Sequence, residues 1–412
     1  MKYSNIFLLA LLTAGLMFGC EKAETPVFVQ EDPVVEALHG EVIVGQYIIV
    51  YREDPGLKNS LEGFTYDERI EVVRAESEVI FTEAGIPEDA IFQVYGSTIR
   101  GVAARLSESD ALALERHERI SYIEPDRVII MRPPWEREPS PEPEPDPDPE
   151  DPPEESTQVV PWGIVRVGGF VTYTGDKKAW VIDTGVEFDH PDLNVNTSLS
   201  KTFITRGPDA QSANDLNGHG THVAGTIAAI DNNFGVVGVA AGAEVVAVKV
   251  LDRRGSGSYS GVIAGVDYVG STASAGDVAN MSLGGPASNA LDDAVHAASN
   301  KGIWFVIAAG NDGKDANNYS PARVTGTYVY TISAMDSNDN WASFSNWGNP
   351  PIDYCAPGVS VNSTWINGGY RTISGTSMAA PHAAGVRLLG NPKTDGFVKN
   401  DPDGNPDPII HR

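Results

Sequence analysis

The chain has 412 residues, with 56 acidic against 29 basic side chains and a formal net charge of −27. That balance excludes a nucleic-acid partner and leaves no basic patch for an anionic membrane surface. Two cysteines are too few for a disulfide scaffold, and the length calls for two domains with connectors.

Lys2 and the apolar run over 6–18 read as an export signal covering 1–19, too short to span a bilayer. Gly19-Cys20 closes it in the manner of a bacterial lipoprotein signal, which makes Cys20 a lipidation candidate. Met17 and Phe18 depart from the usual residues before such a cysteine, so an ordinary secretory cut stays open. With Cys20 lipidated, Cys355 is left as a free, buried thiol. Residues 20–39 form a polar tether.

A small α+β domain is expected over 40–131. Strands are predicted at 46–51, 90–95, 101–106 and 120–130, and helices at 65–82 and 107–118, the latter opened by the Ser107/Asp110 capping pattern. The βαββαβ order is ferredoxin-like. Residues 132–157 alternate proline with acid, ten acidic residues against two arginines. Such a segment forms no core and is an extended, polyproline II-like linker.

From Gln158 the chain alternates apolar strands with small-residue helices, as an α/β fold with a parallel sheet requires. Strands are predicted at 179–182, 244–250, 278–283, 303–308 and 328–332, and helices at 219–230, 259–272, 287–301 and 377–389. Each strand is apolar nearly throughout, as burial on both faces demands. Residues 391–412 are an Asp/Pro-rich tail that is not expected to pack.

Three stretches carry chemistry. Gly375-Thr376-Ser377 opens a helix start, where the field favours an oxyanion, and Pro381 is expected in that helix's first turn. Val181-Ile182-Asp183-Thr184-Gly185 ends a strand in an aspartate, and His219 heads the helix of His219-Gly220-Thr221-His222-Val223-Ala224-Gly225. Taken singly, each is as easily a cap, a turn or a core residue. Together, Asp183, His219 and Ser377 supply an orienter, a base and a nucleophile.

With these motifs in this order, the chain resembles the subtilisin-like serine proteases, in the branch that includes proteinase K. The resemblance covers roughly 157–390 and implies a subtilisin-like parallel sheet with helices on both faces. Tyr122-Ile123-Glu124-Pro125-Asp126 and the small domain around it resemble the family's inhibitory propeptide. By the same resemblance Asn311, after Ala308-Ala309-Gly310, is the oxyanion-hole side chain. Gly255-Ser256-Gly257 and Ser282-Leu283-Gly284 are the two segments that pair with an extended peptide substrate. Ala308, Ala309 and Gly310 imply an open, apolar P1 pocket in which these motifs place no charged residue.

The family's tight calcium site maps onto Gln158, Asp192, Ile230, Asn232, Phe234 and Val236, and a weaker one onto Thr327, Val329 and Asp353. Calcium is expected as a structural ion, with no catalytic cofactor. The oxygens of 401–407 have their glycine off the EF-hand position and read as a solvated turn. The last helix stops earlier than in most relatives, so stability is expected to lean on calcium. Three readings remain at this point: a general endopeptidase, exported as a monomer and activated by propeptide removal; a dedicated precursor-processing protease; and a non-catalytic binding module. The last requires a broken triad, and none of its residues is missing.

Overall fold

The computed structural model describes residues 39–52, 63–131 and 157–412. Cys20 and the export signal lie outside them, as do residues 132–156 of the linker.

The first domain comprises β1 (Val42–Tyr51), α1 (Tyr66–Glu83), β2 (Ile91–Tyr95), β3 (Gly101–Arg105), α2 (Glu108–Glu115) and β4 (Ile120–Ile130). Thr65 and Glu68 form a reciprocal capping box on α1, while Ser107 accepts the Asp110 amide at α2. One face of the sheet packs Ile49 and Val102 on Val73, Ile80, Phe81 and Leu114 of the two helices.

The second domain places β5 (Ala179–Asp183), β6 (Lys201–Thr202), α3 (His219–Ala228), β7 (Val245–Lys249), β8 (Ser256–Ser258), α4 (Tyr259–Thr272), β9 (Val278–Met281), α5 (Asn289–Ser299) and β10 (Trp304–Ala308) in succession. It continues through β11 (Val329–Met335), β12 (Ile352–Pro357), β13 (Val361–Trp365), β14 (Gly369–Ile373), α6 (Thr376–Leu389), β15 (Lys393–Phe397) and β16 (Pro408–His411). A nine-stranded sheet runs β15-β16-β12-β11-β10-β9-β5-β7-β6, parallel except for the β15–β16 hairpin. The period of two divides each strand between the faces. Ala179 and Val181 join Val245 and Ala247 beneath α3 and α6, whereas Trp180 and Ile182 join Val246 and Val248 beneath α4 and α5. Ile48, Ala103 and Ile129 of the first domain enter this second core. The subtilisin-like α/β expectation and its ferredoxin-like companion are both met.

Two expectations fail. The tail packs: β16 extends the sheet beside β12, and Ile409 and Val398 are buried against Met335 and Cys355. Within 401–407 the tip at 402–406 is solvated, while Asp407 is 1% exposed and accepts the Ser333 hydroxyl. Pro381 sits past the first turn of α6, not within it. Its missing N–H would orphan the Ser377 carbonyl, and Ser282 Oγ donates to that oxygen instead at 2.8 Å.

Candidate active site

The carboxyl ends of β5, β9 and β10 and the starts of α3 and α6 converge, as open parallel sheets arrange their sites. Asp183 is the last residue of β5 and has no exposed surface; His219 and Ser377 are 6% and 8% exposed. His219 Nδ1 lies 2.8 Å from Asp183 Oδ1, which also accepts the Thr184 amide at 2.7 Å. No side chain caps α3 at its N-cap, Gly218. Asn217 Oδ1 accepts the His219 amide, and Asp215 accepts the Thr221 amide and hydroxyl. Asp215 escaped the sequence reading, though an acid just ahead of a helix is the visible sign of such a role. Gly220 is required by close approach, because a Cβ there would stand 2.0 Å from the Gly185 carbonyl oxygen. His222 and His382 are structural. Burial pushes their imidazoles down to about 3 and about 4, and each faces backbone carbonyls.

Ser377 lies in the first turn of α6, where an amide has no intrahelical acceptor. Its hydroxyl donates to the Ser282 carbonyl at 3.2 Å. Asn311 Oδ1 accepts both the amide and the hydroxyl of Thr376 at 2.8 Å. Those two donors fix which end of the amide is the acceptor and turn its NH₂ the other way. Asn311, Ser377, Ser282, Leu283, Gly284, Ala308, Ala309 and Gly310 all line one cavity of ≈ 50 Å³ beside Met131. Asp312, which follows the Ala308–Asn311 stretch, lines it too.

The chain's own β4 fills the cleft. It pairs antiparallel with β8, Ser256 opposite Ile130 and Gly257 opposite Ile129, and the Met131 amide donates to the Gly255 carbonyl at 2.9 Å. On the other edge the Ile130 amide donates to His39 Nδ1 at 3.0 Å, and Val128 pairs with Gly40 and Glu41. Among the described residues no backbone bond joins β4 to Ser282–Gly284, whose place at Ile130 His39 takes. Two acids of β4 seat it on the helices. Glu124 accepts the Ser288 hydroxyl and the Asn289 and Ala290 amides at the start of α5, and Asp126 accepts the amide and hydroxyl of Ser260 at the start of α4. Asp267 of α4 reciprocates by accepting the Gly96, Ser97 and Thr98 amides.

The subtilase family profile matches residues 179–392, and a peptidase inhibitor I9 profile matches 46–131. The chain belongs to the subtilase family. An extracellular serine proteinase of Thermus sp. (strain Rt41A) is 36% identical over 94% of this chain and 90% of its own. The M-protease of Shouchella clausii (strain KSM-K16) is 38% identical over 84% of this chain and 80% of its own. Alkaline serine exoprotease A of Vibrio alginolyticus is 38% identical over 84% of this chain, which spans 60% of that relative's length. The crystal structure of a cold-adapted subtilisin-like serine proteinase is 43% identical, covers 57% of this chain and 85% of its own, and superposes with a TM-score of 0.49. This subtilase is a serine endopeptidase made with an I9 propeptide as its intramolecular inhibitor.

Away from the cleft, Gln158 Nε2 stands 2.6 Å from the Ile230 carbonyl, 3.2 Å from that of Val236 and 3.3 Å from Asn232 Oδ1. Asp192 adjoins them, accepting Asn232 Nδ2, the Val236 amide and the Tyr370 hydroxyl. Phe234 enters this loop through its amide, which donates to Asn232 Oδ1 at 2.9 Å. Among the described residues no three His, Cys, Asp or Glu side chains form a metal cluster. A cage of carbonyl and amide oxygens with one carboxylate nevertheless fits a hard cation, with Gln158 turned to present Oε1. At the second predicted position Asp353 Oδ2 accepts the Thr331 amide at 2.9 Å, while Val329 opens β11 and Thr327 is exposed. Cys355 is the free buried thiol expected, pushed up by burial. Among the described residues no helix is long and apolar enough to cross a membrane.

Proposed function

We propose that this subtilase hydrolyses peptide bonds through Asp183, His219 and Ser377, with Asn311 in the oxyanion hole. Ser377 Oγ attacks the scissile carbonyl while His219 Nε2 takes its proton, and Asp183 stabilises the imidazolium through Nδ1. The developing oxyanion accepts from Asn311 Nδ2 and the Ser377 amide. His219 then returns the proton to the leaving amine, and water releases the acyl group from Ser377 by the same steps in reverse order. The observation that carries this reading is the 2.8 Å contact of His219 Nδ1 with Asp183 Oδ1 beside a pocket shared by Ser377 and Asn311.

Small Ala308, Ala309 and Gly310 favour apolar or aromatic P1 side chains, with Asp312 as a lining charge, and backbone pairing with Gly255–Gly257 favours broad specificity. Structural calcium bound by Gln158, Asp192, Ile230, Asn232, Phe234 and Val236 would supply no chemistry to the reaction, only rigidity to the loop at 230–236. The protein acts outside the cell on polypeptides, as the names of its extracellular relatives support. The test is labelling with a fluorophosphonate probe. Wild type is labelled once its propeptide is removed, and Ser377→Ala is neither labelled nor able to process its own precursor. Labelling of Ser377→Ala at the wild-type level would exclude Ser377 as nucleophile.

A further inference from the structure

Lys249 closes β7 with no exposed surface. An ammonium buried in this way is costly unless paired. Its Nζ lies 2.9 Å from Asp209 Oδ1 and donates to the Thr184 carbonyl. Asp209 is itself 4% exposed, on a turn tied to β6 by the bond from Thr202 Oγ1 to its carbonyl at 2.8 Å. Lys249 and Asp183 are register partners on adjacent parallel strands, so the ammonium stands behind the carboxyl end of β5.

Thr184 is engaged at three points. Its amide donates to Asp183 Oδ1 at 2.7 Å, its Oγ1 accepts the Gly220 amide at 2.9 Å, and its carbonyl accepts Lys249. The first bond aims the carboxylate that receives His219, and the second fixes the head of the helix that carries His219. We infer that Lys249 is a positioning residue: it pins the Thr184 peptide and, through it, the Asp183–His219 pair. Stability alone does not account for the charge there. A buried ion pair seldom outperforms apolar side chains of the same volume, so a methionine with a neutral partner would serve a plain core role equally well.

That contrast makes the test, which rests on the serine-protease reading but uses a different readout. Full-length precursors carrying Lys249→Met, Asp209→Asn or both are activated with trace wild-type enzyme, and each is assayed for thermal midpoint, kcat and KM on one peptide substrate. Asp209→Asn unpairs the buried charge but keeps the bond to Thr184, so its thermal midpoint falls while kcat stays within about twofold. The double variant has no orphaned charge, so its midpoint recovers, yet kcat remains lowered about 10- to 100-fold with KM nearly unchanged, the cost of a misplaced catalytic group. Lys249→Met shows both defects; should it fail to fold, the double variant still decides. Wild-type kcat in the double variant overturns the inference, as does an equal loss of kcat in Asp209→Asn. Failure of the nucleophile assignment would be told apart by Ser377→Ala, which must be inactive whatever Lys249 does.

Discussion

Propeptide docking should tighten on acidification, against the intuition that acid strips a complex held by carboxylates. Asp126 has no exposed surface in the complex, and burial raises its carboxyl from the ordinary 3.8 to about 6 in spite of the Ser260 bonds that oppose the shift. Its partners on α4 belong to the other domain, so in the free propeptide the group returns to its ordinary value. The complex therefore holds the proton more firmly than the separated parts do. Stabilisation from this group is fully present below about pH 4, declines as pH rises through about 6 and is absent above it. Between pH 7 and pH 5 the difference is roughly tenfold in affinity, or about 1.4 kcal/mol. Asp267 is raised by burial as well, against the Gly96, Ser97 and Thr98 amides, which lower it. The assay is calorimetric titration of a Ser377→Ala catalytic domain with the propeptide at the two pH values, for wild type and for Asp126→Asn. The variant should lose the tenfold difference. If the wild-type propeptide instead binds more weakly at pH 5 than Asp126→Asn does relative to pH 7, the burial argument is wrong.

Ser282→Ala should lower stability by about 1–3 kcal/mol, because the Ser377 carbonyl that Pro381 leaves without a donor would be buried unsatisfied; a chemical denaturation curve reads this, and an unchanged midpoint would show that another donor serves. Calcium should raise the thermal midpoint, by about 2.7 kcal/mol of stability at a hundredfold excess over Kd, and Asp192→Ala should blunt that response. Burial pushes the Asp192 carboxyl up to about 6, so without the ion its raised value costs stability above that pH and none well below it. The calcium response should accordingly shrink as pH falls through 6, and a response constant from pH 8 to pH 5 would remove Asp192 from the ligand set.

The candidate site was legible because its parts are local. Asp183 at a strand end, His219 at a helix head and Ser377 behind a glycine each occupy a few residues, and the strands that carry them are uninterrupted apolar runs. What stayed hidden depends on partners distant in sequence. Pro381 obeys the rule for isolated helices only until Ser282, on another element, supplies the missing donor. Residues 408–411 hold just enough apolar surface, Ile409 and Ile410, to cover the sheet edge, and acidic and proline neighbours mask it. Glu124 and Asp126 were visible as a family-like string, but their function as caps appears only when α4 and α5 meet β4. His39 could not be anticipated at all: its position beside Ile130 follows from a register shift in β1 after Val42 that carries residues 39–42 along β4.

That same placement bears on how the precursor is cut. Met131 is held in the cleft by the Gly255 carbonyl at 2.9 Å, while Gln158 reaches the Ile230 carbonyl at 2.6 Å in a loop away from the cleft, and both contacts exist in one uncut chain. To satisfy both, the junction must reach from the one position to the other. Residues 132–157 are enough for that, since 26 residues reach at most on the order of 80 Å at about 3.1 Å each. Docking at Gln158 therefore need not wait for cleavage. The uncut Ser377→Ala precursor should show the full calcium-dependent rise in thermal midpoint, with no further gain once the linker is severed by an added protease. In the wild type the first product should end near Met131, where β4 enters the cleft, and trimming through the linker to a start near Thr157 should follow. N-terminal sequencing along a maturation time course distinguishes the two orders. A single cut at Thr157, with no earlier product near Met131, would mean that the inhibitory strand is not the first substrate and that the cleft opens before processing begins.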